Sequence, residues 1–290
     1  MVATMKTFIL GVGAQKGGTS WLHRQLTKNN TIDLGFRKEY HVFDAIEGNS
    51  GLREKKIQRI LRSNSKGRLG LNHGQSIKSN RAFATLELSF IDNVDNYFNY
   101  FDYLYLRSEN ILAVGDITPS YAILKPGTFQ MIKKGLNNRG FDIKLFFLMR
   151  DPVERLWSAA RMAERDMSEE KSRHFDVKKF LSSSKSGHNV RSQYEKTISV
   201  LENVFDSRDI FYGFYEDMFC QDYNSKISQF LDMPLEPFDV NQVINASPKS
   251  VPLPEGLYKE LALKFEATYE YIRTKFGESM TKRWQGYQAF

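Results

Sequence analysis

The run Lys6–Val12 (KTFILGV) passes without interruption into GAQKGGTSWL, and no other junction in the chain restricts the fold as tightly. An apolar run bounded by glycine reads as a strand. The stretch from Thr19 to about Asn29, with Trp21, Leu22 and Leu26 on one face, reads as the helix that follows it. Strand, glycine-rich loop and helix in that order form an anion site, because loop amides converge on the ligand and the helix's positive end favours its charge. Gly17 and Gly18 allow close backbone approach, Lys16 supplies a mobile cation, and Thr19 and Ser20 supply hydroxyls. The Walker A pattern, in which the lysine follows the second glycine and precedes Ser or Thr, is not met: Lys16 precedes the glycine pair and Thr19 follows glycine.

Three further apolar runs, Ile111–Val114, Ile143–Met149 and Ile210–Phe214, are separated by helical patterns at Arg53–Arg62, Val190–Phe205 and Leu257–Phe276. This alternation predicts an α/β fold, a parallel P-loop NTPase-like sheet of about four or five strands flanked by helices. The run IKLFFLM is apolar enough for a strand covered on both faces. Gly115-Asp116 and Thr118-Pro119 predict a turn after the second run, and Arg150-Asp151-Pro152 predicts a helix start with Asp151 as its N-cap. With neither repeat nor linker, residues 1–290 read as one domain carrying a variable insertion over about 52–108. Inside that insertion, Ser63–Arg81 is polar, basic and rich in glycine and serine, and reads as a long loop. The aromatic tract Tyr97–Tyr105 reads as helix core rather than a platform for stacking bases.

Lysine and arginine (41) outnumber aspartate and glutamate (34), for a net charge of +7. That surplus suits nucleic acid, an anionic membrane surface or a polyanionic small molecule, without choosing among them. The one cysteine, Cys220, excludes an intrachain disulfide and cysteine-built zinc sites; it fits a reducing compartment and reads as a small buried residue. No metal-ligand spacing appears among the five histidines, so no metal is expected. The N-terminal apolar run enters the glycine loop too soon for a signal peptide, and no stretch approaches the roughly 20 apolar residues of a membrane span. A cytoplasmic, bacterial chain is the expectation.

QKGGTSWL after an N-terminal strand resembles the 5′-phosphosulfate loop of the sulfotransferases. RDPVERLWSA resembles that family's 3′-phosphate motif, in which an arginine, here Arg150, is followed eight residues on by a serine, here Ser158. FYEDM at Phe214–Met218 is similar to the family's strand-end Tyr-Glu-Asp. The resemblance implies 3′-phosphoadenosine-5′-phosphosulfate (PAPS) as donor and 3′,5′-adenosine bisphosphate (PAP) as product, with a carbohydrate or small metabolite bearing an alcohol, or else an amine, as acceptor. It places Gln15, Lys16, Gly17, Gly18, Thr19, Ser20 and Trp21 on the 5′ side, with Lys16 at the bridging oxygen. Arg150 and Ser158 fall on the 3′-phosphate, where a guanidinium makes charge-assisted bonds.

LGFRKEYHVFD resembles the Lys-Glu-x-His-x-Phe segment of the glycan sulfotransferases related to the heparan sulfate enzymes. The resemblance implies Glu39 as general base and His41 as a second catalytic candidate. Read alone, Glu39 also fits an ion pair with Lys38 or a helix-start carboxylate, and His41 a hydrogen-bonded structural histidine. Gly115–Tyr121 (GDITPSY) is similar to a Gly-Glu-Lys-Thr-Pro-x-Tyr stretch of the same relatives, with Ile117 where some carry a substrate-facing lysine. NASPK at Asn245–Lys249 falls where relatives fold a loop over the nucleotide, which would bring Lys249 to the 3′-phosphate or adenine, but an exposed turn lysine is the better reading. An ATP- and magnesium-dependent kinase acting on a small molecule, or a basic nucleic-acid-binding protein, are the competing functions.

Overall fold

The computed structural model describes residues 6–48, 51–65, 77–168, 170, 174–182, 187–241, 253 and 255–290. Five strands, β1 (Lys6–Gly13), β2 (Ile32–Asp33), β3 (Ala113–Ile117), β4 (Phe141–Met149) and β5 (Ile210–Phe214), form one sheet in the order β2-β3-β1-β4-β5. Every neighbouring pair is parallel. Parallel strands need crossovers, and these are supplied by α1 (Thr19–Leu26), α2 (Phe43–Ile46), α3 (Leu52–Ser65), α4 (Ile77–Asp92), α5 (Val94–Leu106), α6 (Pro126–Asn137) and α7 (Pro152–Arg165), with further helices after α7.

Alternation along the strands sorts the side chains into two cores. Phe8, Leu10, Val12, Leu145, Phe147 and Met149 join one cluster, where Phe8 meets the edge of Phe101 from α5 at 5.1 Å. Ile9, Phe146 and Leu148 point the other way, against Trp21, Leu22 and Leu26 of α1. Both faces of the sheet are therefore covered, which explains the nearly continuous apolar runs of β1 and β4. The aromatic tract lies in α5, with Tyr97, Phe98, Phe101 and Leu104 buried, as its spacing predicts.

Several boundaries differ from the sequence expectation for local reasons. β3 starts at Ala113 and runs through Gly115-Asp116 to Ile117, so these two residues are strand and not turn. A side chain at Gly115 would collide with the Ile9 carbonyl of β1, and Asp116 tolerates burial because hydroxyls surround it. The first helix ends at Leu26, where Asn29 Nδ2 donates to the carbonyls of Gln25 (3.1 Å) and Leu26 (3.2 Å). The helix expected over Val190–Phe205 spans Tyr194–Glu202, because Ser192 is held outside it by Arg155 Nε (2.6 Å). The long C-terminal helix is two, Glu255–Lys264 and Glu266–Phe276. The Ser63–Arg81 stretch is not all loop: residues 63–65 end α3 and residues 77–81 begin α4, while 66–76 lie outside the described residues. Asn245–Lys249 also lies outside them. Cys220 is exposed rather than buried, in a turn where its amide donates to the Asp217 carbonyl (3.0 Å).

Asp151 joins the C-terminal helices to the sheet. Its Oδ1 caps α7, accepting from the amides of Val153 (2.9 Å) and Glu154 (3.1 Å), and also accepts from Tyr269 OH (2.9 Å). Its Oδ2 accepts from Tyr258 OH (3.1 Å) and the Gly286 amide (2.9 Å). A buried carboxylate with this many donors leaves them all unpaired when it is removed. Asp151→Ala is expected to cost about 3 kcal/mol or more of stability, read as a lower urea midpoint at unchanged slope.

Candidate active site

The carboxyl ends of parallel strands are where such sheets bind ligands, and the sequence-predicted residues gather there. After β1 the chain folds back on itself: the Ala14 amide donates to the Leu148 carbonyl (2.6 Å) and the Gly17 amide to the Ala14 carbonyl (2.9 Å). Gly17 packs so closely on the Leu148 carbonyl that a side chain there would overlap it. Gly18 takes a left-handed conformation (φ 100°) at the N-cap of α1, and no side chain caps that helix. The first amides of α1 are thus left to an external acceptor.

Lys16 is also left-handed (φ 70°), an uncommon conformation for a residue with a side chain. Burial lowers the pKa of its ammonium, and the positive charges of Arg165, Arg150, Arg161 and Lys38 lower it further. A half-buried lysine facing other cations is a site waiting for an anion. Thr19 is buried beside it and Ser20 half-buried. Gln15 offers its carbonyl to Arg155 Nη1 (3.4 Å). Trp21 is placed differently from its neighbours: its indole lies in the core, edge-on to Phe219, Tyr223 and Phe238.

β4 delivers Arg150 next to this loop. The guanidinium lies 4.6 Å over the Tyr215 ring and 3.0 Å from Glu154 Oε2, while Tyr194 OH donates to the Arg150 carbonyl (2.7 Å). Tyr215 opens the Tyr-Glu-Asp turn after β5, in which Glu216 accepts from Trp284 Nε1 (3.0 Å) and Asp217 pairs with Arg283. Ser158 is buried about two turns into α7.

Three contributors escape a reading of motifs. Arg155, wholly buried, donates to Ser192 Oγ, to the His188 carbonyl and to Gln15 of the loop; burial lowers its pKa to about 10. Arg161 and Arg165 add charge around Lys16. Their spacing of three and seven residues from Ser158 on one helix was the available signal.

On the other side of β1, Asp116 organises the 39–44 segment. Fully buried, it accepts from Thr118 Oγ1 (2.6 Å), Tyr121 OH (2.9 Å) and Tyr97 OH (3.0 Å). Burial raises its pKa to about 6, against the pull of those hydroxyls. The same groups accept backbone amides: Tyr40 N donates to Thr118 Oγ1 (2.9 Å) and Val42 N to Tyr121 OH (3.1 Å). Tyr40 and Val42 are thereby fixed inside, while the Glu39 and His41 side chains each remain 30% exposed. His41 adopts a left-handed φ of 54°, strain of the kind that surroundings must enforce. Its Nε2 lies 3.3 Å from Glu39 Oε2, and its Nδ1 lies 2.8 Å from Asp44 Oδ2 and 3.0 Å from Ser120 Oγ. Lys38 pairs with the other oxygen of Glu39. Against a burial effect that raises it, hydrogen bonds from His41 and the charge of Lys38 bring the Glu39 pKa down to about 2. Against a burial effect that lowers it, Asp44 and Glu39 lift His41 to about 9. The segment is therefore a cation–anion pair at neutral pH, with His41 a donor.

A family model of the sulfotransferase domain matches residues 6–250. The chain belongs to the sulfotransferase family. Sulfuryl transfer is accordingly its general chemistry. The structure is similar to that of a sulfotransferase from Alicyclobacillus acidocaldarius, at 21% identity and TM-score 0.58, over 93% of this chain and 95% of that one. It also matches the sulfotransferase domain of the Synechococcus PCC 7002 olefin synthase, at 15% identity and TM-score 0.48, over 92% and 94% of the two chains. No curated protein matches the sequence. Among the described residues no helix is long and apolar enough to cross a membrane, and no His/Cys/Asp/Glu group is arranged to hold a metal ion.

The paired charges predict a stability signature for this sulfotransferase. A raised histidine stabilises fully below its unfolded pKa of about 6.5, and that stabilisation fades as pH rises through about 9. The stability lost in His41→Gln should be greatest at pH 6 and shrink by pH 9.5, as urea unfolding at the two pH values would show.

Proposed function

We propose that this sulfotransferase moves a sulfuryl group from PAPS to a hydroxyl by in-line displacement. The observation that carries the reading is Lys16, held left-handed beside the uncapped start of α1 and ringed by Arg150, Arg161, Arg165 and Lys38. Such a surplus of positive charge suits a nucleotide bearing phosphate at one end and phosphosulfate at the other. In this reading the loop Gln15–Trp21 binds the 5′-phosphosulfate, and Arg150 with Ser158 takes the 3′-phosphate. PAP is the product, and no metal is required.

The acceptor oxygen attacks sulfur while the bond from sulfur to the bridging phosphate oxygen breaks. Lys16 stabilises the charge that grows on that bridging oxygen, and the hydroxyl's proton passes to Glu39. Positioning and electrostatic stabilisation supply most of the rate in a transfer of this kind. A carboxyl held at about 2 is a weak base by itself. The donor's negative charge draws Lys38 from Glu39, which lifts the carboxyl toward a range where it accepts a proton. His41, protonated and braced by Asp44, orients Glu39.

The direct test compares thermal stabilisation by PAP, by ATP with magnesium and by an oligonucleotide. Ligand at 100 times its dissociation constant adds about 2.7 kcal/mol, a shift that scanning fluorimetry resolves. PAP is expected to stabilise the protein; stabilisation by ATP-magnesium with none from PAP overturns the reading. Lys16→Ala should abolish transfer. Glu39→Gln should lower turnover by ~10²–10⁴-fold with PAP affinity retained, and full turnover in that variant would remove Glu39 from the role.

A further inference from the structure

Beyond Glu39 the structure opens into a cleft of about 340 Å³, within the range of small-molecule sites. Its walls carry Arg37, Lys38, Lys55, Lys56 and Arg59, with Leu52 the one aliphatic side chain among the described lining residues. The P-loop residues Gln15–Trp21 are not among those lining it, nor are Arg150 and Ser158. The cleft is thus on the acceptor side of Glu39 and adjoins the donor side at Lys38.

Two carboxylates face these cations, and both are already engaged. Glu87, 1% exposed, meets Arg37 at one oxygen, and Lys56 (3.0 Å) and Arg59 (3.9 Å) at the other. Glu39 is held by Lys38 and His41. One carboxylate cannot neutralise three cations, and Lys55 has no ion-pair partner among the described residues. The cleft therefore keeps a positive excess, which low-dielectric walls focus toward its interior.

The arrangement is also built rather than incidental. Lys56 is buried, donates to the Tyr40 carbonyl (3.1 Å), and so ties α3 to the segment that presents Glu39. Arg37 lies near the stacked rings of Phe36 and Phe83, 5.8 and 6.0 Å from their centres.

We infer that the acceptor carries an anionic oxyacid group, carboxylate, phosphate or sulfate, which α3 and Arg37 hold while the reacting hydroxyl faces Glu39. This rests on the transfer reading above and adds the class of acceptor to it. A phenol or lipid-like acceptor needs an apolar wall, and the aromatic residues that would form one, Tyr97, Phe98 and Phe101, are sealed in the core. Guanidinium groups beside a lysine suit an oxyanion, which they bind through paired hydrogen bonds.

The test titrates PAP-saturated protein with three probes that differ at one position: methyl β-D-glucuronide, methyl β-D-glucoside 6-phosphate and methyl β-D-glucoside. At least one charged probe should bind ten-fold or more tighter than the neutral glucoside, and which one does so separates carboxylate from phosphate. The double variant Lys55→Glu/Arg59→Glu should erase that preference while PAP affinity holds. The same reversal at Lys125 and Lys134, outside the cleft, should leave it intact. Equal binding of all three probes, failure of both charged ones, or a preference that survives the Lys55/Arg59 reversal overturns the inference. Failure of PAP to bind would count against the donor assignment instead; the probe titration is then read on the free protein with the same outcomes.

Discussion

Backbone hydrogen bonding between β1 and β4 runs parallel from Lys6 opposite Phe141 to Gly13 opposite Phe147, so both strands release their next residues at the same edge. One strand continues into the loop that carries Lys16, the other into Arg150 and the capped start of α7. Two cationic groups 134 positions apart in sequence are thereby made neighbours, without any side chain having to bring them together. The bond from the Ala14 amide to the Leu148 carbonyl extends this pairing past the regular ladder and into the loop. Arg155 completes it from below, reaching the Gln15 carbonyl from α7.

Two buried carboxylates then orient what the sheet only places. Asp151 gathers the C-terminal helices around the start of α7, and Asp116 gathers α5, Thr118 and Tyr121 behind the segment bearing Glu39. Burying such a group is costly unless it is well hydrogen-bonded, and both are bonded by several donors. The arrangement at Asp116 is indirect: its hydroxyl donors are themselves acceptors for the amides of Tyr40 and Val42. Backbone geometry at the candidate base is consequently fixed from inside the core, by groups that never reach the cleft.

Much of this was legible in the sequence because the sheet's strands are apolar on both faces and its loops carry unusual residues in fixed order. The runs at β1, β4 and β5 announced themselves, as did the Asp151 cap. β2, two residues long, left no periodicity to detect. Asp116 reads as a turn residue because an aspartate in a buried strand is unusual, and the three hydroxyls around it make its place there possible. Arg155 was hidden inside a recognised motif, its partners lying in segments with no pattern of their own. The cationic cleft was less legible still. Its charges come from α3 and from residues 37–38, which no single run of sequence brings together.

The shared carboxylate of Asp116 has an implication for modular exchange. One of its oxygens receives both Tyr97 from the 52–108 region and Tyr121 from the segment following β3. That region is thus mechanically keyed to the sheet at a point remote from its own surface. A chimera that imports the corresponding helices from another sulfotransferase would carry over a new cleft but an unmatched key. Unless the tyrosine travels with the graft, the scaffold inherits a carboxylate short of one donor, and the misfit is felt first at the backbone of residues 39–42.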